Sequence, residues 1–241
     1  MKSPRQLAVA VARRTISPFV PDRKRLPFLY WLQVMSGGGP ELPHIDKFFA
    51  GTEIAIDVGA NAGLFTYRLS GHFRHVHAFE VNTDLTKPIA DYNPGNITLY
   101  PCGLSSTART ARLHIPVVQD LVCAGSGSIE EVEFPAAEHT IEKEVQVRPL
   151  DEFGFTGVDF IKIDVEGHEA EVIKGAATTI EKSRPVLLIE VRSSNLPALG
   201  AWFQSRDYRQ LSVARIFQSE EYENYVFVPA EKLAQLAIKG E

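Results

Sequence analysis

The sequence predicts an α/β fold in which helices cover a mostly parallel sheet of seven strands. From Glu53 onward, short apolar runs alternate with helical segments, which is the pattern of parallel strands joined by crossover helices. Two of the runs, Ile54–Val58 and Phe160–Val165, each bring a carboxylate to the end of a strand, in Asp57 and Asp164. Open parallel sheets bind ligands beyond these strand ends, so the same pattern also predicts a site.

The strand and helix predictions follow from apolar periodicity and from turn residues. The expected strands are Ile54–Val58, His75–Phe79, Ile97–Pro101, Phe160–Val165, Val186–Val191, Tyr208–Ser212 and Tyr225–Pro229. The expected helices are Gly63–Gly71, Asp84–Tyr92, Glu169–Lys182, Asn195–Arg206 and a short Glu231–Lys239. The stretch from Ser105 to Arg148 departs from this rhythm. Its runs Leu113–Pro116 and Glu144–Arg148 predict a hairpin or edge strands beside the substrate site.

Residues 1–50 are expected to form a helical N-terminal extension or lid, and residues 51–241 a single catalytic domain. Helices are predicted at Ser3–Arg14, at Phe28–Met35 and, more briefly, at His44–Phe49, separated by prolines and by the Gly37–Pro40 joint. The extension is a basic arm, because seven Lys and Arg residues precede Tyr30 against one acid. Such an arm is either a solvated basic helix or a weak peripheral contact with an anionic membrane.

Composition narrows the class of protein. The net charge of -5 and the isoelectric point near 5.8 argue against a nucleic-acid partner, which needs a broad basic surface. The cysteines, Cys102 and Cys123, are too few for a disulfide framework and lack metal-ligand spacing. The apolar run Leu7–Ala12 falls well short of the roughly 20 residues that span a bilayer. We therefore expect a cytoplasmic protein without a transmembrane segment, and homo-oligomerisation stays open.

The turn after the first strand reads Gly59-Ala60-Asn61-Ala62-Gly63. A dinucleotide-binding turn normally has a further glycine between these two, so a pyrophosphate is not the expected ligand. The turn suits a smaller adenosine-bearing ligand whose carboxylate and ammonium ends meet backbone amides and Asp57. The next strand ends at Glu80, where an acidic side chain can accept hydrogen bonds from both ribose hydroxyls.

At this point several motifs resemble the FkbM-type methyltransferases over roughly Glu53–Val228. The matching segments are Asp57–Gly63 with Phe65, Phe79–Glu80, Cys102–Ser105, Ser126–Ile129, Val147–Asp151, Asp159–Glu169 with Lys174–Ala176, and Pro185–Glu190. The resemblance implies the class I methyltransferase fold, a Rossmann-like three-layer sandwich whose final strand is reversed. It also implies S-adenosylmethionine as donor and a hydroxyl on a sugar, a glycan or a polyhydroxylated natural product as acceptor. The donor-binding residues it implies are Asp57, Gly59, Ala60, Asn61, Gly63, Phe65, Glu80, Val81, Asn82, Gly103, Leu104 and Asp164.

An alcohol acceptor needs a base or a metal-polarised oxygen, and three residues are candidates for catalysis. His168 is a candidate because imidazole is a common general base near neutral pH, and Asp164 and Glu166 lie at the same strand end. Alternatively, His168 caps a helix or lies in solvent. Asp164 and Glu190 also offer hard oxygen ligands for a divalent cation, although no metal site is assigned firmly.

Two other functions stay open on the sequence alone. One is an NAD-type oxidoreductase, because the same layered architecture serves both chemistries. The other is a non-catalytic, methyltransferase-like binding module that recruits a partner through the basic arm. Retention of the carboxylates Asp57, Glu80, Asp164 and Glu166 favours an enzyme over such a module.

Overall fold

The computed structural model of the protein describes residues 9, 12, 15–37, 39, 41–118, 121–130, 137–217 and 224–236. Within these ranges lie eleven strands and seven α-helices. The strands are β1 (Ile54–Val58), β2 (His75–Phe79), β3 (Ile97–Tyr100), β4 (Gly103–Leu104), β5 (Arg109–Val118), β6 (Leu121–Val122), β7 (His139–Arg148), β8 (Val158–Ile163), β9 (Val186–Glu190), β10 (Tyr208–Ser212) and β11 (Asn224–Pro229). The helices are α1 (Asp22–Ser36), α2 (Leu64–Ser70), α3 (Lys87–Tyr92), α4 (Glu169–Gly175), α5 (Ala177–Ser183), α6 (Leu196–Gln204) and α7 (Val213–Phe217).

The main sheet has seven strands within the described ranges, in the order β10-β11-β9-β8-β1-β2-β3. Neighbouring strands are parallel except around β11, which runs antiparallel to both β9 and β10. The predicted mostly parallel sheet with a reversed final strand is therefore confirmed. Val58 at the end of β1 pairs with Phe79 of β2 and with Ile163 of β8. This register places the residues that follow these three strands side by side at one edge of the sheet.

The core lies on both faces of this sheet, because the central strands are apolar on both sides. One hydrophobic cluster contains Ile56, Val58 and Ile163. The cluster on the opposite face contains Leu26, Ile45 and Phe48 of the N-terminal extension together with residues of the central strands. The extension thus shares a hydrophobic core with the sheet.

A second, smaller sheet carries the irregular region, in the order β4-β7-β5-β6 among the described residues. Strands β5 and β7 pair antiparallel from Arg109↔Val147 to Val117↔His139, so both predicted runs lie in strands, but Leu113–Pro116 pairs with residues 140–143 and not with Glu144–Arg148. Alternate residues of β5, such as Leu113 and Ile115, are buried, and the residues between them are more exposed. The alternation explains why this strand covers one side of a cleft while facing solvent on the other.

Several predicted helix boundaries were wrong, for identifiable reasons. The second predicted helix was expected at Phe28–Met35, but α1 begins at Asp22 and continues through Pro27 to Ser36. Buried Leu26 and Leu29 on either side of Pro27 anchor the helix, so packing outweighs the single lost hydrogen bond. The predicted helix Glu169–Lys182 divides into α4 and α5 at Ala176. There Gly175 lies so close to the backbone of Ser105 that a Cβ would be 2.0 Å from its carbonyl oxygen.

Other segments differ in type or extent from the predictions. Strand β8 starts at Val158, two residues early, and ends at Ile163. The segments predicted as α-helices at His44–Phe49 and Glu231–Lys239 contain 3-10 helices, at Leu42–Phe48 and Ala230–Gln235. Residues 237–239 and nearly all of the predicted helix Ser3–Arg14 lie outside the described ranges.

Two further differences concern the helices beside the sheet. The predicted helix Asp84–Tyr92 starts as a 3-10 turn at Thr83–Leu85 before α3 begins at Lys87, and α7 was not predicted. None of the helices in the described ranges is both long and apolar enough to cross a bilayer.

Candidate functional site

The turn after β1 has a backbone that few residue types can adopt. Gly59, Asn61 and Gly63 have φ angles of 73°, 53° and 89°. A Cβ on Gly59 would lie 1.8 Å from the carbonyl oxygen of Asp164, so only glycine fits there. Asn61 tolerates the left-handed region, and its Oδ1 accepts a hydrogen bond of 2.7 Å from the amide of Ala62. The turn therefore brings the end of β1 into close contact with the end of β8.

The amides of this turn are bonded within the protein. Gly59 and Ala60 both donate to the carbonyl of Phe79, at 3.0 and 2.9 Å, and Gly63 donates to Ala60 at 2.8 Å. The amide of Asn61 donates to Glu80. The expectation that ligand groups meet these amides is therefore wrong for the arrangement seen here. The turn instead offers close approach, because no bulky side chain covers it.

Glu80 follows β2 and is held by two backbone amides. Its Oε2 accepts a hydrogen bond of 2.7 Å from Asn61, and its Oε1 accepts one of 2.7 Å from Asn82. Burial raises the pKa of Glu80, and these two hydrogen bonds oppose that rise. Each carboxylate oxygen keeps a further lone pair. The side chain is thus oriented and can still accept hydrogen bonds from a ligand.

A first cavity opens beside this turn. It brings together the predicted donor-binding residues Gly59, Asn61, Glu80, Val81, Asn82, Gly103, Leu104 and Asp164, from four separate stretches of the chain. Apolar walls come from Leu104, Leu113 and Ile129, and Glu166 and His168 line the end near β8. The cavity therefore combines apolar faces with a fixed carboxylate, the composition expected of a nucleoside site.

Residues 121–130, named here the roof segment, cover the first cavity. Asn61 and Asn82 donate their side-chain amides to the carbonyls of Gly125 and Ala124, at 3.2 and 3.3 Å. Further along, the hydroxyl of Ser128 donates to the carbonyl of Glu166 at 2.9 Å. The roof segment is thus bonded to residues on both sides of the cavity that it covers.

His168 is buried, with only 2% of its surface exposed. Its Nδ1 contacts the carboxylate of Glu130 in the roof segment, and its Nε2 lies 3.0 Å from the hydroxyl of Ser105. Of the two sequence-based alternatives for this residue, a solvent-exposed position is wrong. The ring is enclosed because the N-terminus of α4 packs against the loops that carry Ser105 and Glu130.

A buried charge network lies behind the turn. Asp57 is fully buried, and its Oδ2 accepts a hydrogen bond of 2.6 Å from Thr66. The Nζ of Lys162 lies 3.1 Å from Oδ2 of Asp164, 3.8 Å from Oδ1 of Asp57 and 4.8 Å from the ring centre of Phe65. Burial acts against the charge of Lys162, yet Asp164 and Asp57 together raise its pKa. Lys162 is therefore a cation that neutralises two carboxylates.

Four of the predicted donor-binding residues do not line the first cavity, and two of these, Ala60 and Phe65, line a second cavity on the other side of the turn. Asp57 belongs to the network behind the turn and does not line the first cavity. Gly63 starts α2, where a Cβ would be 2.4 Å from Ile89, and it does not line that cavity either. In the arrangement seen here, Asp57 and Gly63 hold the turn in place.

A second cavity, of about 610 Å³, lies on the other side of the turn. One wall comes from the N-terminal extension, through Gln33, Gly39, Glu41 and Leu42. The opposite wall contains Ala60, Phe65 and Lys162 together with Asp164, Glu190 and Asn224 at the strand ends. The two cavities share Gly59, Asn61 and Asp164. They therefore meet at the tips of β1 and β8.

Carboxylates dominate the electrostatics around this junction. Burial and the nearby charge of Asp164 raise the pKa of Glu190 to about 7. Burial and Asp164 also raise the pKa of Glu166, and burial raises that of Glu41. Asp164 and Glu190, the predicted cation ligands, line the same cavity, but Asp164 is already paired with Lys162. Among the described residues, no group of three or more His, Cys, Asp or Glu side chains is arranged to hold a metal ion.

Sequence reasoning missed Glu41, Asn224, Ser105 and Glu130 as site residues. Glu41 belongs to no motif that predicts a site, whereas Ser105 ends the matching segment Cys102–Ser105 and Glu130 directly follows the matching segment Ser126–Ile129. Asn224 did carry a signal, because a polar residue precedes the apolar run of β11. Without the fold, nothing in that signal indicates which cavity the residue faces.

Comparisons with known proteins agree with this architecture. The family model described as the methyltransferase FkbM domain matches residues 57–238. The crystal structure of a methyltransferase FkbM from Methylobacillus flagellatus is similar, with 20% sequence identity, a TM-score of 0.50, and coverage of 92% of this chain. The chain spans 59% of the length of that protein.

A second similar structure is an rRNA methylase from Streptococcus thermophilus, with 11% identity and a TM-score of 0.46, covering 78% of this chain and 91% of that one. No curated protein sequence matches the chain significantly. The fold is that of the class I methyltransferases, as the sequence predicted.

Proposed function

The chain belongs to the FkbM methyltransferase family, and from that premise we propose that it methylates a hydroxyl oxygen of a sugar, a glycan or another polyhydroxylated acceptor, with S-adenosylmethionine as donor. One observation carries this proposal: the two cavities differ in character and meet at Gly59, Asn61 and Asp164. Methyl transfer requires donor and acceptor to approach in line across a common boundary, and orientation contributes much of the rate enhancement.

The first cavity has a volume of only about 70 Å³ in the arrangement seen here, below the roughly 300 to 1,000 Å³ of small-molecule sites, but the groups that line it suit the donor. Glu80 is oriented by two amides and has lone pairs for the ribose hydroxyls. Leu104, Leu113 and Ile129 offer apolar surfaces for a purine ring. When bound, the donor supplies a methyl group on positively charged sulfur, and the neighbouring carboxylate of Asp164 suits that charge. A nicotinamide dinucleotide gains no support here, because the turn lacks the middle glycine and its amides are already bonded.

The second cavity suits the acceptor. A volume of about 610 Å³ falls within the usual range for small-molecule sites. Its lining residues Glu41, Glu190 and Asn224 provide hydrogen-bonding groups for a molecule with several hydroxyls. We assign this cavity to the acceptor because it joins the donor cavity only at the strand tips, where the methyl group must pass.

Glu190 is our candidate for the base that takes the acceptor proton. Its pKa of about 7 is matched to a general base near neutral pH, and it lines the second cavity. Asp164 borders both cavities, so its role is to orient the reacting groups while Lys162 holds it in place. His168 lines the first cavity with both ring nitrogens engaged, which favours a positioning role for this residue. Glu166 lines the first cavity as well, beside the expected donor.

Donor binding is the first test. Calorimetry with S-adenosylhomocysteine should show saturable binding to the wild type and at least about tenfold weaker binding to Glu80→Ala, because hydrogen bonds to a charged group are lost. Glu53→Ala is a matched control, since the side chain of Glu53 is 66% exposed and lies 3.3 Å from that of Arg74, outside the described linings of both cavities. Equal affinity in wild type and Glu80→Ala would refute the donor assignment.

Methyl transfer itself is tested with deuteromethyl-labelled donor and cell extracts. Mass spectrometry should find a labelled product whose label sits on oxygen, and a chelator control shows whether a divalent cation contributes. A protein that binds the donor but labels nothing across a broad acceptor panel would instead support the non-catalytic binding module.

A further inference from the structure

Glu41 lies buried in the wall of the second cavity. Only 4% of its surface is exposed, and the side-chain amide of Asn224 approaches its Oε1 at 3.4 Å. Its Oε2 is buried and has no hydrogen-bond partner within the described ranges. A buried carboxylate oxygen without a partner is costly, so a bound group that donates to it would relieve that cost.

The fold holds this carboxylate in place. Leu42, Ile45 and Phe48 of the following 3-10 helix are all buried, which fixes the chain immediately after Glu41. On the opposite wall, Asn224 begins β11 and pairs with Glu190 of β9. The pair of Glu41 and Asn224 therefore bridges the N-terminal extension and the reversed strand, within the cavity that also contains Glu190.

The charges around the cavity favour one class of molecule. Its described lining contains the carboxylates Glu41, Asp164 and Glu190 and one cation, Lys162. Lys162 is already paired with Asp164 and lies near Asp57. An anionic acceptor would thus meet carboxylates in the protein wall, whose described cation is already paired. A cationic acceptor would stand next to the positively charged sulfur of the donor, which leaves an uncharged acceptor as the best fit.

We propose that Glu41 and Asn224 form a recognition subsite for an uncharged polyhydroxylated acceptor. One hydroxyl of that acceptor, different from the hydroxyl that is methylated, donates to Oε2 of Glu41, while Asn224 keeps the carboxylate oriented. The acidic wall excludes acceptors with a carboxylate or phosphate near the reacting end. This inference rests on the proposed function, because it assigns the second cavity to the acceptor.

The test compares two probes that differ at one substituent, methyl glucoside and methyl glucuronide. Saturation-transfer NMR titrations are carried out on the full chain saturated with S-adenosylhomocysteine. The neutral glucoside should bind at least about tenfold more tightly than the glucuronide. Glu41→Gln should weaken glucoside binding about tenfold and reduce the difference in affinity between glucoside and glucuronide. The affinity of this variant for S-adenosylhomocysteine should stay within about twofold of wild type.

The variants separate recognition from folding. Glu53→Gln removes an exposed carboxylate outside the cavity lining and should change no probe affinity. Glu41→Asp keeps the charge but shortens the side chain, so it should preserve exclusion of the glucuronide even if the glucoside binds less tightly. Failure of S-adenosylhomocysteine to bind the wild type would contradict the proposed function. Two other results would overturn the proposed subsite but not the proposed function, provided that S-adenosylhomocysteine binds normally. One is that glucuronide binds as tightly as glucoside, and the other is that neither glycoside binds.

Discussion

Replacing Lys162 by methionine should destabilise the protein strongly. The ammonium group is almost fully buried and lies near the carboxylates of Asp57 and Asp164 and 3.3 Å from the carbonyl of Gly59. Lys162→Met keeps most of the volume but removes the positive charge 3.8 Å from fully buried Asp57, whose hydrogen bond from Thr66 is unchanged. Breaking a buried ion pair on one side costs about 3 to 5 kcal/mol. For a chain of this size, that corresponds to a drop in melting temperature of roughly 6 to 20 °C.

The assay is urea unfolding followed by circular dichroism, with calorimetric melting as a second measurement. Lys174→Met is the matched control, because the side chain of Lys174 is 63% exposed and should contribute less than about 1 kcal/mol. The double variant Asp57→Asn with Lys162→Met should recover part of the loss, since it removes both buried charges. A loss below about 1 kcal/mol in Lys162→Met would show that the network does not hold the turn.

The pH dependence of Lys162→Met follows from the same network. Burial raises the pKa of Asp57 above its ordinary value, and Lys162 opposes that rise. Without Lys162, the pKa of Asp57 in the folded protein rises further, so Asp57 loses its proton at a lower pH in the unfolded chain than in the folded one. Stability is then greatest below the unfolded pKa and is lost as pH rises through the folded pKa. The deficit of the variant relative to wild type should therefore be smaller at about pH 5 than at about pH 8.

Three further predictions concern the turn, the base and the roof segment. Gly59→Ala should cost roughly 3 kcal/mol or more and abolish S-adenosylhomocysteine binding, because its Cβ would lie 1.8 Å from a backbone carbonyl oxygen. Gly154→Ala, with a similar φ of 66° but no atom within 4 Å, should cost only about 1 kcal/mol in urea unfolding, and equal losses would contradict the steric argument. In wild type, methylation should accelerate as pH rises through about 7, when Glu190 loses its proton, whereas Glu190→Gln should be slower by about a hundredfold or more and lack this rise. An unchanged pH profile would exclude this carboxylate as base. His168→Ala and Glu130→Gln should each speed amide hydrogen exchange in the roof segment, residues 121–130, as measured by mass spectrometry. Unchanged exchange in both variants would show that the contact between these two side chains does not hold the roof segment.

Three strands of the main sheet were predictable because their signals are local. Ile54–Val58, His75–Phe79 and Tyr208–Ser212 lie at the predicted bounds, since each is a short run bounded by turn residues. The acids and glycines at the strand ends also indicated which edge of the sheet carries the site, because parallel strands expose their carboxyl ends together. Local pattern and sheet geometry were sufficient for these features.

The walls of the site were not predictable, because they depend on contacts between residues far apart in the chain. Glu41 meets Asn224 across 183 positions, and His168 meets Glu130 across 38. Periodicity indicated that His168 precedes a helix but not that loops enclose its ring. Similarly, the composition of residues 1–50 suggested a lid, whereas its packing into the core depends on the sheet face that it covers. Membrane contact by the basic arm, cytoplasmic localisation and the boundary at residue 50 remain predictions.

Leu26, Ile45 and Phe48 have consequences for anyone preparing shorter versions of this protein. All three are completely buried against one face of the sheet. A fragment starting at residue 51 would expose that apolar face of the sheet to solvent. We therefore expect such a fragment to express poorly and aggregate, and not to be an active fragment with broader selectivity. Swapping the segment between relatives to alter substrate preference should likewise preserve these three anchors while varying the residues that face the cavity.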